Sequence, residues 1–146
     1  LSAAFGRGPI GSFLIRTLEN LDHGRSEVYC YADRRPADEV TARFQAASDA
    51  WRGVAALSDE QLAHQIRADH VDILFDLRGH AAPNRLLVFA RKPAPLQITW
   101  IDSVGTTGLQ TIDYLLADRH LVPALPEQEL LQLQWNFLVW VKKGLY

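Results

Sequence analysis

The sequence has no methionine and a single cysteine, Cys30, and no apolar run approaches the roughly 20 residues that span a bilayer. One cysteine excludes an internal disulfide, and its apolar setting, EVYCYA, predicts a small buried side chain in a reducing compartment. We therefore expect a cytoplasmic protein without a membrane partner. The first residues lack the charged and apolar segments of a signal peptide, and the missing initial methionine suggests a fragment.

Neither sign of charge is in excess. The 146 residues include 15 basic and 17 acidic side chains, for a formal net charge of −2. This balance argues against nucleic acid as a partner, since nucleic-acid-binding domains present a strongly basic surface. With 48% hydrophobic and 22% charged residues, the composition is that of a folded globular domain rather than a disordered chain.

Apolar spacing along the chain predicts alternating helices and strands. Ser58 with Gln61 forms the capping-box pattern that starts a helix, and residues 129–140 fit a strand, a helix or both. Such alternation predicts one α/β domain over residues 1–146, with a doubly wound, mostly parallel, Rossmann-like sheet. The predicted helices are 9–21, 37–51, 58–70 and 84–92, and the predicted strands are 26–32, 71–77, 96–101 and 113–118, with a further short strand at 53–57.

Ionisable residues follow the apolar strand VDILF directly in VDILFDLRGH (71–80). In parallel α/β sheets, ligands bind at the carboxyl ends of the strands, where Asp76 and His80 are expected. Two interpretations fit these residues equally well. His80 acts as a general base oriented by the carboxylate, or Asp76 caps backbone N–H groups and His80 is a solvated loop residue.

Two glycine-rich loops also follow predicted strands, FGRGPIG (5–11) and DSVGTTG (102–108). Glycines allow backbone N–H groups to approach an anion, although a plain turn is the commoner role of such loops. The spacing of Gly6, Gly8 and Gly11 matches G-x-G-x-x-G, but no acidic residue follows the second strand cleanly before Asp33, so dinucleotide binding is not favoured. The scattered histidines show no metal-ligand spacing, so no metal site is predicted.

The segment DLRGHAAPNRLLVFARKPAPLQITWIDSVGTTGLQTIDYLLAD (76–118) resembles the catalytic region of the protein O-GlcNAc transferases, glycosyltransferase family 41, which includes the plant SPINDLY proteins. FGRGPIGSFL (5–14) is a weaker match in the same register. The resemblance covers essentially the whole chain. The matching elements are Asp76, Gly79, His80, Arg85, FARKPAPLQITW (89–100), VGTTG (104–108) and DYLLAD (113–118).

This resemblance implies a GT-B enzyme with two Rossmann-like lobes, of which the chain is the N-terminal catalytic lobe with a truncated first strand. It implies transfer of N-acetylglucosamine from UDP-GlcNAc to serine or threonine of an acceptor protein, with inversion and without a metal or cofactor. An isolated first lobe is then expected to be inactive. The implied catalytic residues are Asp76 and His80, and the implied substrate-binding residues are Gly6, Pro9, Arg85, Gly105, Thr106 and Thr107.

The sequence departs from the family pattern at three positions. Gly8 replaces a histidine that lines the active site, Lys92 replaces an arginine, and Val104 replaces a proline. The first departure supports an alternative, a degenerate non-catalytic lobe that acts as a protein-binding module. A stand-alone α/β domain that binds a small anion also fits the pattern, but it leaves the shared motifs unexplained.

The tail LQWNFLVWVKKGLY is rich in large apolar side chains. Burial of each stabilises a fold by about 1.5–3 kcal/mol, so we expect the tail to be covered. A strand at 129–134 that extends the sheet edge is the favoured solution, and self-association is the alternative.

Overall fold

The computed structural model describes residues 1–33, 37–100, 107–117, 130–133 and 137–141. The predictions for Val104, Gly105 and Thr106 and for the tryptophan at 135 fall outside these residues. The chain divides into two compact units, Leu1–Ser58 and Asp59–Tyr146.

The described part of the first unit, which leaves out residues 34–36, has two helices and a two-stranded parallel sheet. Its elements are α1 (Pro9–Glu19), β1 (Tyr29–Ala32), α2 (Glu39–Ala46) and β2 (Ala50–Gly53). A single parallel bridge joins Ser2 to Ala32, in the segment where the sequence predicts the end of a strand. The core of this unit consists of Phe5, Leu14, Ile15, Cys30, Tyr31, Phe44 and Val54.

The end of α2 and the position of β2 differ from the sequence prediction. A helix over 37–51 and a strand over 53–57 were wrong, because α2 ends at Ala46 and residues 50–53 form the strand. Trp51 pairs with Cys30 in the parallel register, and the carboxylate of Asp49 accepts the Val28 N–H at 2.7 Å. These non-local bonds fix residues 49–53 beside β1 and override the local helical pattern.

In its described residues, the second unit has two helices and a mixed five-stranded sheet. The strand order is β3-β4-β5-β7-β6, with parallel pairing from β3 to β5 and antiparallel pairing beyond. The tail therefore pairs as strands within this sheet, and β6 extends its edge as the sequence favoured. The elements are α3 (Asp59–Ala68), β3 (Ile73–Asp76), α4 (Leu86–Ala90), β4 (Leu96–Trp100), β5 (Tyr114–Ala117), β6 (Leu130–Leu133) and β7 (Phe137–Val141).

One face of β3 and β4 buries polar side chains among apolar ones. Leu74 is paired with Gln97 and Asp76 with Thr99, and all four residues are buried. The side-chain amide of Gln97 donates to the Phe89 carbonyl of α4 at 2.9 Å, so this helix packs on the same face. Burial of polar groups is favourable only when they are hydrogen-bonded, so these partners determine what the residues do.

Cys30 is 2% exposed, which confirms the predicted buried side chain. Burial raises the pKa of its thiol to about 11. Within the described part of the chain, no helix has the length and apolar character needed to cross a bilayer.

Candidate functional site

Asp76 is the last residue of β3, and its carboxylate is hydrogen-bonded from several directions. Oδ1 accepts the Arg78 N–H at 3.1 Å, and Oδ2 accepts the Gly79 N–H at 3.0 Å. The hydroxyl of Thr99 donates to Oδ2 at 3.0 Å from the neighbouring strand. The side chain therefore has the capping role that the second interpretation of the sequence assigns to it. Asp76 is 2% exposed, so water has little access to this carboxylate.

His80 lies in a tight turn immediately after β3. The Ala81 N–H donates to the Arg78 carbonyl at 2.9 Å, which closes the turn over Gly79 and His80. Gly79 has a φ of 50°, a conformation that glycine adopts without steric cost. His80 is exposed at the tip of this turn.

The far side of this loop is held by Arg78. Its guanidinium donates to the carbonyl oxygen of Ala82 at 2.7 Å and to that of Pro83 at 3.4 Å. The Asn84 side-chain amide donates to the His80 carbonyl at 3.4 Å. The segment from Arg78 to Asn84 is thus closed on itself by side-chain bonds to its own backbone.

Arg85 precedes α4 and forms an ion pair inside the second unit. Its Nη1 atom donates to Oδ1 of Asp59 at 2.8 Å, and the two side chains are only 17% and 24% exposed. This pair links the start of α4 to the start of α3. An anion contact from Arg85 stays a prediction, and any such contact would have to share the guanidinium with Asp59.

The glycine-rich loop of the first unit is anchored on the start of α2. Asp38 caps this helix, and its second carboxylate oxygen accepts the Arg7 N–H at 2.8 Å. The Thr41 hydroxyl donates to the Phe5 carbonyl at 2.8 Å. This capping box was not predicted from the sequence, although an aspartate three residues before a threonine is a visible signal for it.

Close backbone packing explains the glycines around Gly6 and Pro9. Pro9 begins α1, and Gly11, in the first turn of the helix, lies against the loop. A Cβ atom at Gly11 would lie 1.9 Å from the Gly6 carbonyl oxygen. Gly8 has a φ of 150°, and a Cβ atom there would meet none of the described residues within 4 Å. Substrate contacts of Gly6 and Pro9 stay a prediction. The close packing of Gly6 against Gly11, in contrast, is seen directly in the structure.

Thr107 belongs to the second glycine-rich loop, DSVGTTG (102–108), of which the structure describes Thr107 and Gly108. It is 5% exposed, and its hydroxyl accepts the Leu109 N–H at 3.4 Å. Gly108 follows with a φ of 73°. Substrate binding by Gly105, Thr106 and Thr107 stays a prediction, and so does the convergence of all three predicted loops at one sheet edge.

Lys92, one of the three departures from the family pattern, lies near the amino end of β4. Its ammonium contacts the Asp113 carboxylate and donates to the Thr111 carbonyl at 2.9 Å. Asp76 ends β3 and His80 follows it. Because β3 is the parallel neighbour of β4, Lys92 lies at the opposite end of these strands. The structure therefore gives this lysine a structural ion pair away from the predicted site.

No group of three or more histidine, cysteine or acidic side chains among the described residues could hold a metal ion.

The family model for glycosyl transferase family 41 matches residues 1–133. The chain belongs to glycosyl transferase family 41. This result agrees with the resemblance of residues 76–118 and confirms the predicted family.

Named relatives and a solved structure support this membership. The rice protein (Oryza sativa subsp. japonica) named probable UDP-N-acetylglucosamine–peptide N-acetylglucosaminyltransferase SPINDLY is 35% identical over 139 residues, which cover 90% of this chain and 15% of that protein. The protein of that name from Eustoma exaltatum subsp. russellianum is 39% identical over 127 residues, 82% of this chain and 14% of its own length. A solved O-GlcNAc transferase from Thermobaculum terrenum, a K341M mutant, superimposes with a TM-score of 0.82 at 43% identity.

These similarities support the α/β fold of a GT-B family member. The match covers 84% of this chain and 24% of the Thermobaculum chain, so this family 41 chain spans a small part of the proteins that it resembles. The activity of those whole proteins is therefore a proposal for this one.

Proposed function

We propose that this family 41 chain is the N-terminal catalytic lobe of an enzyme that transfers N-acetylglucosamine from UDP-GlcNAc to serine or threonine of an acceptor protein. Family membership carries the proposal, because the relatives described above are named as peptide N-acetylglucosaminyltransferases. The exposed His80 turn at the carboxyl end of β3 supports a ligand site there, since ligands of parallel α/β sheets bind at that edge.

The proposed reaction inverts the configuration at the anomeric carbon. The acceptor hydroxyl attacks this carbon from the face opposite the diphosphate and forms the new C–O bond. The bond from the sugar to the diphosphate breaks, and its electron pair leaves with UDP. The hydroxyl proton passes to a base, and donor groups of the protein rather than a metal stabilise the charge on the leaving diphosphate.

His80 is the side chain that we assign to this chemistry, either as the group that accepts the proton or as a contact that holds the sugar. Histidine suits both roles, because it changes protonation near neutral pH and has two ring nitrogens for hydrogen bonds. Stabilisation of the diphosphate requires groups from a second lobe. We therefore expect the chain alone to be inactive and to bind UDP-GlcNAc weakly.

A chimera tests this function directly. The 146 residues replace the matching region of the Thermobaculum terrenum transferase, and transfer of N-acetylglucosamine from UDP-GlcNAc to a protein acceptor is measured. We expect activity in the chimera and a loss of roughly 100-fold in kcat/KM on His80→Asn, the range for a lost acid–base group.

His70→Asn is the matched control for that substitution. His70 is also exposed, but it precedes the amino end of β3, and its φ of 53° suits asparagine. Its activity should equal that of the unsubstituted chimera. A folded chimera without transfer activity would contradict the proposed function. Equal activities for His80→Asn and His70→Asn would contradict the role of His80.

Gly8 supports a second candidate, a non-catalytic lobe that binds proteins. Its φ of 150° lies in a region that is almost restricted to glycine, so the backbone has adapted to the residue that replaces the family's histidine. Open space around its Cβ position leaves room for a side chain at the cost of backbone strain. An inactive but folded chimera that gains activity on Gly8→His would favour this candidate.

A further inference from the structure

Asp76 and Thr99 form a buried polar pair between β3 and β4. The two residues are direct partners in the parallel register, and they are 2% and 4% exposed. The Thr99 hydroxyl donates to Oδ2 of Asp76 at 3.0 Å. A buried pair of this kind is stable only if its remaining hydrogen-bonding capacity is also used, so the other partners of the carboxylate matter.

Those partners are the backbone N–H groups that lead into the His80 turn. Oδ1 accepts the Arg78 N–H at 3.1 Å, and both oxygens lie within 3.2 Å of the Gly79 nitrogen. An ionised carboxylate is an acceptor only, so it fits a position surrounded by three donors.

In this arrangement the Asp76 carboxylate supports the backbone of the turn and takes no direct part in the reaction. The residue directly before His80 is held by the carboxylate, which is itself fixed by the Thr99 hydroxyl. The far side of the turn is closed by the Arg78 guanidinium on the Ala82 carbonyl. The backbone at His80 is therefore supported on both sides, as a side chain that must meet a reacting atom requires.

We infer that Asp76 and Thr99 are positioning residues that together hold the turn carrying His80 in place, and that the reaction proton does not pass through Asp76. The inference rests on the proposed function for its catalytic consequence. Thr99, which had no assigned role, thereby becomes a positioning residue. Asp76 is a brace for the turn and not the general base.

The most informative variants change the Thr99 hydroxyl. Thr99→Val keeps the shape and removes the donor, whereas Thr99→Ser keeps the donor. In the chimera we expect Thr99→Val to lower kcat about tenfold with little change in KM, since small misplacements of a reacting group lower the rate of the chemical step. Thr99→Ser should restore at least half of kcat. Thr111→Val is the matched control, because among the described residues the buried Thr111 hydroxyl has no hydrogen-bond partner.

The pH profile decides between the two models for Asp76. If Asp76 is a brace, Asp76→Asn lowers kcat/KM at every pH, and the acidic limb of the profile keeps its midpoint. Combining Asp76→Asn with Thr99→Val should cost much less than the product of the single effects, as for two members of one unit. Loss of the acidic limb in Asp76→Asn would identify Asp76 as the base and overturn the inference.

Amide exchange in the 146-residue chain tests the brace without any activity. The Gly79 amide should exchange at least tenfold faster in Thr99→Val than in the unsubstituted chain, and Thr111→Val should leave its rate unchanged. Equal Gly79 exchange in Thr99→Val and the unsubstituted chain would overturn the inference even if the chimera is active. Faster exchange together with an inactive, folded chimera would support the brace and reject the proposed function.

Discussion

Lys92 and Asp113 form an ion pair that joins the turn before β4 to the turn before β5. The same carboxylate oxygen of Asp113 accepts the Gln97 N–H at 2.8 Å, and the Asp113 N–H donates to the Gln97 carbonyl at 2.8 Å. The pair therefore aligns two parallel neighbours at their amino ends. Lys92 has a φ of 46°, so the backbone bends sharply to bring its side chain to this position.

Removal of the lysine side chain should destabilise the second unit. The two side chains are 33% and 32% exposed, which places the pair between a surface and a buried ion pair. We expect Lys92→Ala to lower the free energy of unfolding by about 1–2 kcal/mol, because it leaves a partly desolvated carboxylate without its cation. Chemical denaturation measures this change.

Arg7→Ala is the control for that measurement. Arg7 pairs with Glu39 at 2.6 Å, but both side chains are 70% exposed. A pair this exposed contributes little to stability because solvent screens it, so the Arg7→Ala effect should be the smaller of the two. The opposite order of the two effects would show that the Lys92 pair does not support the sheet.

Gly11→Ala should be poorly tolerated because its Cβ atom would lie 1.9 Å from a backbone oxygen of Gly6. The neighbour is main chain and has no rotamer to adopt, so the loop or α1 has to move. Overpacking of this kind costs about 1–3 kcal/mol or more, and we expect that loss in the free energy of unfolding. Gly53→Ala is the control, since a Cβ there meets no atom of the described chain within 4 Å. Similar losses in the two variants would contradict close packing at Gly11.

The strand and helix pattern was largely predictable where local signals dominate. The predicted strand at 96–101 is β4, and the helix after Ser58 begins at Asp59. The prediction failed at residues 47–53, where EVTARFQAASDAW continues a helical pattern in sequence. Pairing of Trp51 with Cys30 decides this region, and a pairing between segments 21 residues apart leaves no local signal.

The place of Asp76 and His80 at the carboxyl end of β3 was predictable from the sequence, and the hydrogen-bonding role of Asp76 only partly so. Asp76 and His80 were found because ionisable residues follow an apolar strand. The sequence left the role of Asp76 open, because its partner Thr99 is 23 residues away and is reached only through the register of β3 with β4. Buried threonines in strands are common, so neither residue type nor spacing singles out Thr99.

Asp49 should make the first unit sensitive to acid. The Val28 N–H and, to a smaller extent, the His23 ring lower the pKa of this carboxyl below its ordinary value of 3.8. A lowered pKa in the folded state means that the unfolded chain binds the proton more readily. The resulting stabilisation is complete above the ordinary pKa and is lost as the pH falls through the folded value.

Melting temperatures between about pH 7 and pH 2.5 test this prediction. The unsubstituted chain should lose stability towards the acidic end, and Asp49→Asn should be less stable near neutral pH but converge with it in acid. His23→Gln should have a smaller effect, because it leaves the Val28 contact at 2.7 Å intact. Parallel curves for the unsubstituted chain and Asp49→Asn over the whole range would refute a contribution from this carboxylate.

Cys30 should resist thiol reagents in the folded chain. Its side chain is 2% exposed, and burial raises the pKa of the thiol to about 11. At about pH 8 this shift alone reduces the reactive thiolate roughly 100-fold relative to an ordinary cysteine, and exclusion of the reagent slows labelling further. Labelling by an aromatic disulfide should therefore follow opening of the first unit and should accelerate with denaturant to the rate of the unfolded chain.

Gly11→Ala, which loosens the same unit, should label faster than Gly53→Ala under native conditions. Rapid labelling of the unsubstituted chain without denaturant, at the rate of a free thiol, would show that Cys30 is accessible and that β1 is not covered as the structure describes.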